Sequence, residues 1–242
     1  LNWVKKEKIL KTNLWSSELS KLTAYAFLAQ RISSINSISA ICEETGADVN
    51  EVSKAIGMDR RIGSKFLNTG PGFGGSCFKK DILNLVYLSE FFGLREVANY
   101  WESVVKINTW QQNRISQLIV KKLFGTLSKK KIIILGFAFK ANTNDTRESP
   151  AIQICKNLLE EGAFLVIHDP KVLSEQIALD LGREPIKENS DNINKKSSSN
   201  SGNWTYVKNL DKSTEDADAI IIITEWIQYK NLDWEGISKK MR

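Results

Sequence analysis

The chain has 242 residues, 42% hydrophobic and 26% charged, with 34 basic against 28 acidic side chains and a net charge of +6. Such values belong to a globular protein with room for a sizeable core, in one domain or two. The mild positive excess suits an anionic ligand. It comes with neither an RNA-binding signature nor zinc-finger spacing, and no apolar run approaches the ~18 residues of a membrane span, so neither a nucleic-acid nor a membrane partner is expected.

In chain order, Leu19, Leu22, Leu28, Ile32, Ile35, Ile38 and Ile41 recur at helical spacings and predict one long helix over 16–45, closed by Gly46. Cys42 lies beside that stripe. Isoleucines on several faces of one long helix imply a partner. Asp48 and Glu51 form a capping-box-like start for a short helix ending at Gly57. A glycine-rich loop follows, from 57 to about 76. A third helix is predicted from Cys77 or Phe78 to Phe92, stopped by Gly93. A fourth, over 95–124, carries Val97, Trp101, Val104, Ile115, Leu118 and Leu123.

The pattern changes near Ser128. KIIILGF (131–137) reads as a buried parallel strand. Ser149 is an N-cap and Pro150 an N1 residue for a helix to Glu161. AFLVIHDP (163–170) is a second strand, WTYV (204–207) a short one, and ADAIIIITEW (217–226) contains another that reads as fully buried. Residues 183–203, with KKSSSNSGN at their centre, read as a mobile surface insertion. The expected architecture is α/β overall: an all-helical domain over 1–127, then a Rossmann-like parallel domain over 128–242. The strand end ILGFAFKANTND has one glycine where a dinucleotide fingerprint needs GxGxxG, so no classical NAD site is expected in the second domain. Lys140 and Arg147 lie in that loop, where phosphate would be met.

Three cysteines, Cys42, Cys77 and Cys155, are widely separated and odd in number. That argues against a disulfide framework and for a reducing, cytoplasmic setting. Cys155 reads as core. No CxxC or His/Cys cluster suggests a metal. The one histidine, His168, reads as a satisfied side chain at a strand end. The stretch GPGFGGSCFKKD (70–81) is different. Gly72, Gly74 and Gly75 allow a tight turn and close approach of backbone to a ligand. Cys77 falls at a helix start, where free N–H groups and the helix dipole favour a thiolate, and Lys79 and Lys80 push the same way. A structural thiol is the alternative to a nucleophile, and a Cys–His hydrolase is disfavoured by the distance to His168 in sequence.

GFGGSCFKKD resembles the catalytic cysteine motif of the nucleotide-sugar 6-dehydrogenases of the UDP-glucose/GDP-mannose dehydrogenase family. TNLWSSELSKL, FLAQRISSINSISAICEETGADVNEV, AIGMDRRIGSKFL, KDILNLVYL and ILGFAFKANTNDTRES resemble it too, in the family's order. The resemblance implies an NAD-dependent, two-step oxidation of the sugar C6 alcohol of UDP-glucose to the carboxylate, through a thiohemiacetal and a thioester on Cys77. Lys21 matches a lysine that stabilises the oxyanion or moves the alcohol proton, and Asp81 an aspartate that positions a proton-accepting water. Lys21, Tyr25, Arg61, Asn68, Gly70, Phe73, Gly74, Phe139 and Lys140 match substrate contacts, Arg61 reaching the ligand of a neighbouring subunit. Together with the isoleucines on several faces of the long helix, the resemblance implies a homodimer at least. Cys77, Phe78, Lys80 and Arg147 match positions on the NAD side. Tyr25 departs from the family's usual asparagine, and Asn68 stands where animal relatives often have lysine. The resemblance also implies that the chain is a fragment. The family's NAD domain would precede Leu1 and an FDGR-like arginine would follow Arg242, so these residues alone are expected not to turn over substrate. The rival expectations are a dehydrogenase of GDP-mannose or a UDP-N-acetylhexosamine, and a non-catalytic nucleotide-sugar-binding or dimerisation module.

Overall fold

The structure is a computed structural model that describes residues 3–186, 202–210 and 213–242. The centre of the expected insertion, 187–201, lies outside the described residues. The first half is helical: α1 (Leu14–Thr45), α2 (Val49–Gly57), α3 (Phe78–Phe91) and α4 (Arg95–Lys122). α2 opens on the expected cap, and α1 begins two residues before the expected start. Asn13 accepts from Ser16 N to open α1, and Asp48 accepts from Asn50 N to open α2. Gly46 ends α1 in the left-handed conformation. Ala26 and Ala29 are fully buried and let α1 approach α3 and α4 closely, around a core of Phe73, Ile82, Val86, Ala98 and Val104. The predicted stripe on α1 is only partly covered. Leu22 and Ile35 are buried, whereas Ile41 and Ile38 stand 58% and 37% exposed.

The second half is a parallel sheet of β1 (Lys131–Leu135), β2 (Phe164–His168), β3 (Asn203–Tyr206) and β4 (Ala219–Ile222), in the order β3-β2-β1-β4. Its helices are α5 (Pro150–Glu160), α6 (Ser174–Leu181), α7 (Ile227–Lys230) and α8 (Trp234–Lys240). Ser149 caps α5 as expected, accepting from Ala151 N. Ile132 to Leu135 are buried because β1 is central, paired to β2 on one side and β4 on the other. The fully buried strand expected in 217–226 is corrected. β4 lies at the sheet edge, and Ile222 is 49% exposed. An apolar run shows that a strand has covered faces in some context, but not how many neighbours it has within this chain.

α4 ties the halves together. Its Ile115, Ile119 and Val120, with Leu123 just past its end, pack on the second core, and Asn157 of α5 donates to Asn113 and Ser116 of α4, each at 3.1 Å.

Candidate active site

Cys77 is the N-cap of α3 and is half-buried. Asp81 lies one turn on, its N–H donating to the Cys77 carbonyl at 2.8 Å. Asp81 is 1% exposed. Its Oδ1 accepts from Lys80 Nζ at 2.6 Å, whereas its buried Oδ2 has no hydrogen-bond partner, and Lys21 Nζ of α1 stands 4.0 Å away. A buried carboxylate oxygen left without a donor is costly, and it marks where a further polar group would be received. Lys80 is held protonated above its ordinary range, first by its bond to Asp81 and last by attraction to Cys77. Tyr25, one turn past Lys21 on α1, sets its ring edge-on to Phe78 at 5.8 Å, and Phe78 meets Phe73 edge-on at 5.6 Å. Lys21, Tyr25, Cys77, Phe78 and Asp81 therefore converge on the N-terminus of α3.

Two expectations about this loop are corrected. Lys79 and Lys80 do not both act on the thiol. Lys79 binds Glu148 at 2.8 Å and Lys80 binds Asp81, so carboxylates offset both charges. Nor do Gly74 and Gly75 leave room chiefly for a ligand. A Cβ on Gly74 would stand 2.4 Å from the Glu148 carbonyl oxygen and 2.9 Å from Phe139 Cβ, and one on Gly75 would stand 2.8 Å from the Phe139 ring. The space goes to the second half, whose Arg147 carbonyl accepts from Gly75 N at 2.8 Å. Gly74→Ala is therefore expected to destabilise the chain by about 1–3 kcal/mol through forced separation of two backbones. Urea unfolding checks this, and an unchanged midpoint would contradict the contact.

Phe139 thus belongs to the joint between the halves. Lys140 is exposed beside it, its Nζ 5.3 Å from the Phe139 ring centroid. Arg147 is exposed, chelated by Asp145, and held more firmly protonated mainly by that pairing. Arg61 and Asn68 are not brought to the Cys77 cluster. Asn68 is exposed, and the Arg61 guanidinium folds onto Asp59 at 2.6 Å. Gly70 and Phe73 are gripped by amides: Asn36 and Gln111 bind Gly70, and Asn108 binds Phe73. Sequence reasoning missed these amides and also Arg31, whose guanidinium donates to the carbonyls of Ile62, Gly63 and Lys65. The available signal was polar side chains at 36, 108 and 111 interrupting otherwise apolar helix faces.

Cys42 and Cys155 are core residues at 5% and 0% exposure, and burial pushes the Cys155 thiol far up. His168 ends β2 with Nδ1 2.9 Å from the Tyr229 hydroxyl, in the other half from Cys77. Burial holds its imidazole below the ordinary value, against a weaker opposite pull from Asp169. The unfolded chain therefore takes up the proton first as pH falls through about 6.5, so the stabilisation is complete above that pH and is lost as pH falls toward the folded value. His168→Gln is expected to flatten this part of the stability–pH curve, measured by thermal melts between about pH 7 and 5. An unaltered slope would place the titration elsewhere.

The turn after β1 does not fit a dinucleotide. The Asp169 carboxylate accepts from Phe137 N at 2.7 Å and Ala138 N at 3.0 Å, and also from Lys171 N and Val172 N. Two hollows, of about 460 Å³ beside Cys42, Gln111 and Arg114 and about 390 Å³ beside Arg31, lie away from Cys77.

A helical half presenting a cysteine at a helix tip, locked to a parallel α/β half, defines the class. Residues 15–110 match the model of the UDP-glucose/GDP-mannose dehydrogenase family, central domain, and residues 133–242 that of the same family's UDP binding domain. The chain belongs to the UDP-glucose/GDP-mannose dehydrogenase family. More particularly, it is 56% identical over 240 residues to UDP-glucose 6-dehydrogenase of Pongo abelii, covering 99% of this chain and 47% of that one. It is 52% identical over 242 residues to UDP-glucose 6-dehydrogenase 4 of Arabidopsis thaliana, covering 100% and 50%. Among solved structures, a UDP-glucose dehydrogenase from Pyrobaculum islandicum superposes with a TM-score of 0.76 at 33% identity, over 90% of this chain and 45% of that one. The chain spans about half the length of the curated relatives it matches.

Proposed function

We propose that the whole protein to which this chain belongs is an NAD-dependent UDP-glucose 6-dehydrogenase that carries UDP-glucose to UDP-glucuronate. The observation that carries the proposal is the convergence of Lys21, Cys77 and Asp81, with the Asp81 Oδ2 buried, without a hydrogen-bond partner and 4.0 Å from Lys21 Nζ. The printed names of the relatives supply the substrate class. In this reading Lys21 stabilises the oxygen that loses its proton at the sugar C6, as a cation does best in a dry site. Asp81 orients the water that takes the proton. Cys77 Sγ adds to the C6 aldehyde and keeps it from escaping as a thiohemiacetal. The second oxidation leaves a thioester, which water cleaves to release the carboxylate and the thiol. NAD, when bound, supplies the electron acceptor for both stages. The turn after β1 does not receive it, because Asp169 occupies the N–H groups there. Phe78 and Lys80 at the tip of α3 and exposed Arg147 across the joint are the residues of this chain suited to hold its edge. Asn68 to Gly74 with Phe139 and Lys140 serve the nucleotide sugar, Gly70 and Phe73 through their amide-pinned backbone.

The exposed Phe27, Ile38 and Ile41 on α1 support a homodimer through the helical half, in which exposed Arg61 contacts the neighbour's ligand. A cytoplasmic setting accords with three unpaired thiols. The test is to express the full-length protein and supply NAD with UDP-glucose, GDP-mannose or UDP-N-acetylglucosamine. Two NADH per UDP-glucose and the appearance of UDP-glucuronate are expected. Preference for either other sugar nucleotide would overturn the substrate, and no turnover of any would favour a binding module.

A further inference from the structure

We infer that Asn108 is a positioning residue for the Cys77 nucleophile, acting through the backbone of Phe73; the inference rests on the cysteine chemistry proposed above. Asn108 lies on α4 and is 6% exposed. Its Oδ1 accepts from Phe73 N at 2.8 Å and its Nδ2 donates to Phe73 O at 3.1 Å, so one carboxamide fills both polar groups of one loop residue. Gly72 makes room for it. A Cβ there would stand 2.7 Å from Asn108 Oδ1, and Gly72 has φ +119, where a side chain is strained in any case. One turn along α4, Gln111 Nε2 donates to Gly70 O at 3.0 Å, and Asn36 of α1 accepts from Gly70 N at 3.0 Å.

The loop that delivers the cysteine has no strand to pair with, so amides from two helices replace a ladder. From the pinned Phe73 the contact runs through the buried ring to Phe78, the residue that follows Cys77 and opens α3. Asn108 touches none of the proposed reacting groups. It fixes where α3 begins, and hence where the sulfur sits against Lys21 and Asp81. Misplacement of a reacting atom by about 1 Å costs on the order of 10²-fold in rate.

The experiment uses the full-length protein with Asn108→Leu, which keeps the volume and loses both bonds, and Gln111→Met, which loses the bond to Gly70. Ser33→Ala is the control, because Ser33 Oγ donates to Val104 O at 2.8 Å and links α1 to α4 without touching the loop. Expected are a 10- to 100-fold fall in kcat for N108L, roughly 3- to 10-fold for Q111M, and at least threefold slower iodoacetamide alkylation of Cys77 in both. S33A is expected to lower the melting temperature while leaving kcat and alkylation as in the wild type. A folded N108L with wild-type kcat and alkylation, or S33A losing as much kcat as N108L, overturns the inference. Should N108L not fold, Q111M decides by the same two measurements. If the wild type oxidises no nucleotide sugar, the proposed function fails, and the alkylation rates still decide the positioning role.

Discussion

Cys77→Ala in the full-length protein is expected to remove NADH production from UDP-glucose, by on the order of 10⁴-fold or more. Cys42→Ala and Cys155→Ala are expected to keep kcat within a few-fold of the wild type. The contrast follows from placement. Cys77 is a half-buried N-cap at the start of α3, while Cys42 and Cys155 are buried, at 5% and 0% exposure. Losing either core thiol costs packing, not chemistry. Steady-state assays on the three variants check this, together with mass-spectrometric counting of iodoacetamide adducts. Rapid labelling of Cys77 alone is the expected pattern. Turnover by the Cys77 variant at a tenth of the wild-type rate would remove the covalent route.

The second large effect is expected at Lys21 and Asp81. Lys21→Ala is expected to lower kcat by about 10²–10³-fold, as does loss of a group that stabilises a developing oxyanion. Asp81→Asn is expected to lower it by about 10²–10⁴-fold, as for loss of a group that manages a proton. The double variant is expected to lose less than the product of the two. Both groups face the same point: Asp81 Oδ2 is the oxygen nearest Lys21 Nζ, and it has no other partner. Asp81→Asn also releases Lys80 from its ion pair. kcat values for the single and double variants form the cycle. Strict multiplicativity would mean that the two residues serve separate steps, and an unchanged kcat for Lys21→Ala would remove it from the machinery.

Much of this arrangement is legible in the sequence because it is written locally. Asp48 and Ser149 cap helices where the spacing places caps, and the Ile132–Leu135 run is the buried central strand. Cys77 stands at a helix start because Gly74 and Gly75 precede it and an apolar helical period follows. The rest depends on partners distant in sequence. Nothing local to Lys79 shows that Glu148, 69 residues on, takes its charge. The glycines announce a close approach but not what approaches, which is the Glu148 carbonyl and Phe139. Asn36, Asn108 and Gln111 look like ordinary helix polar residues until the loop lies between them. The short helices α6, α7 and α8 escape prediction because eight residues or fewer carry too little periodicity.

The carboxylate of Asp169 has a consequence for how the second half is used. Parallel sheets of this kind hold an inborn appetite for negative charge at the mouth of the first strand, and here it is satisfied from inside by the chain's own acid. A phosphate or an adenine dinucleotide arriving at that mouth finds the N–H groups of Phe137 and Ala138 already taken. Under the proposed function, attempts to retune selectivity among sugar nucleotides therefore belong along the seam with the helical half, where Gly74 and Gly75 meet Glu148 and Phe139.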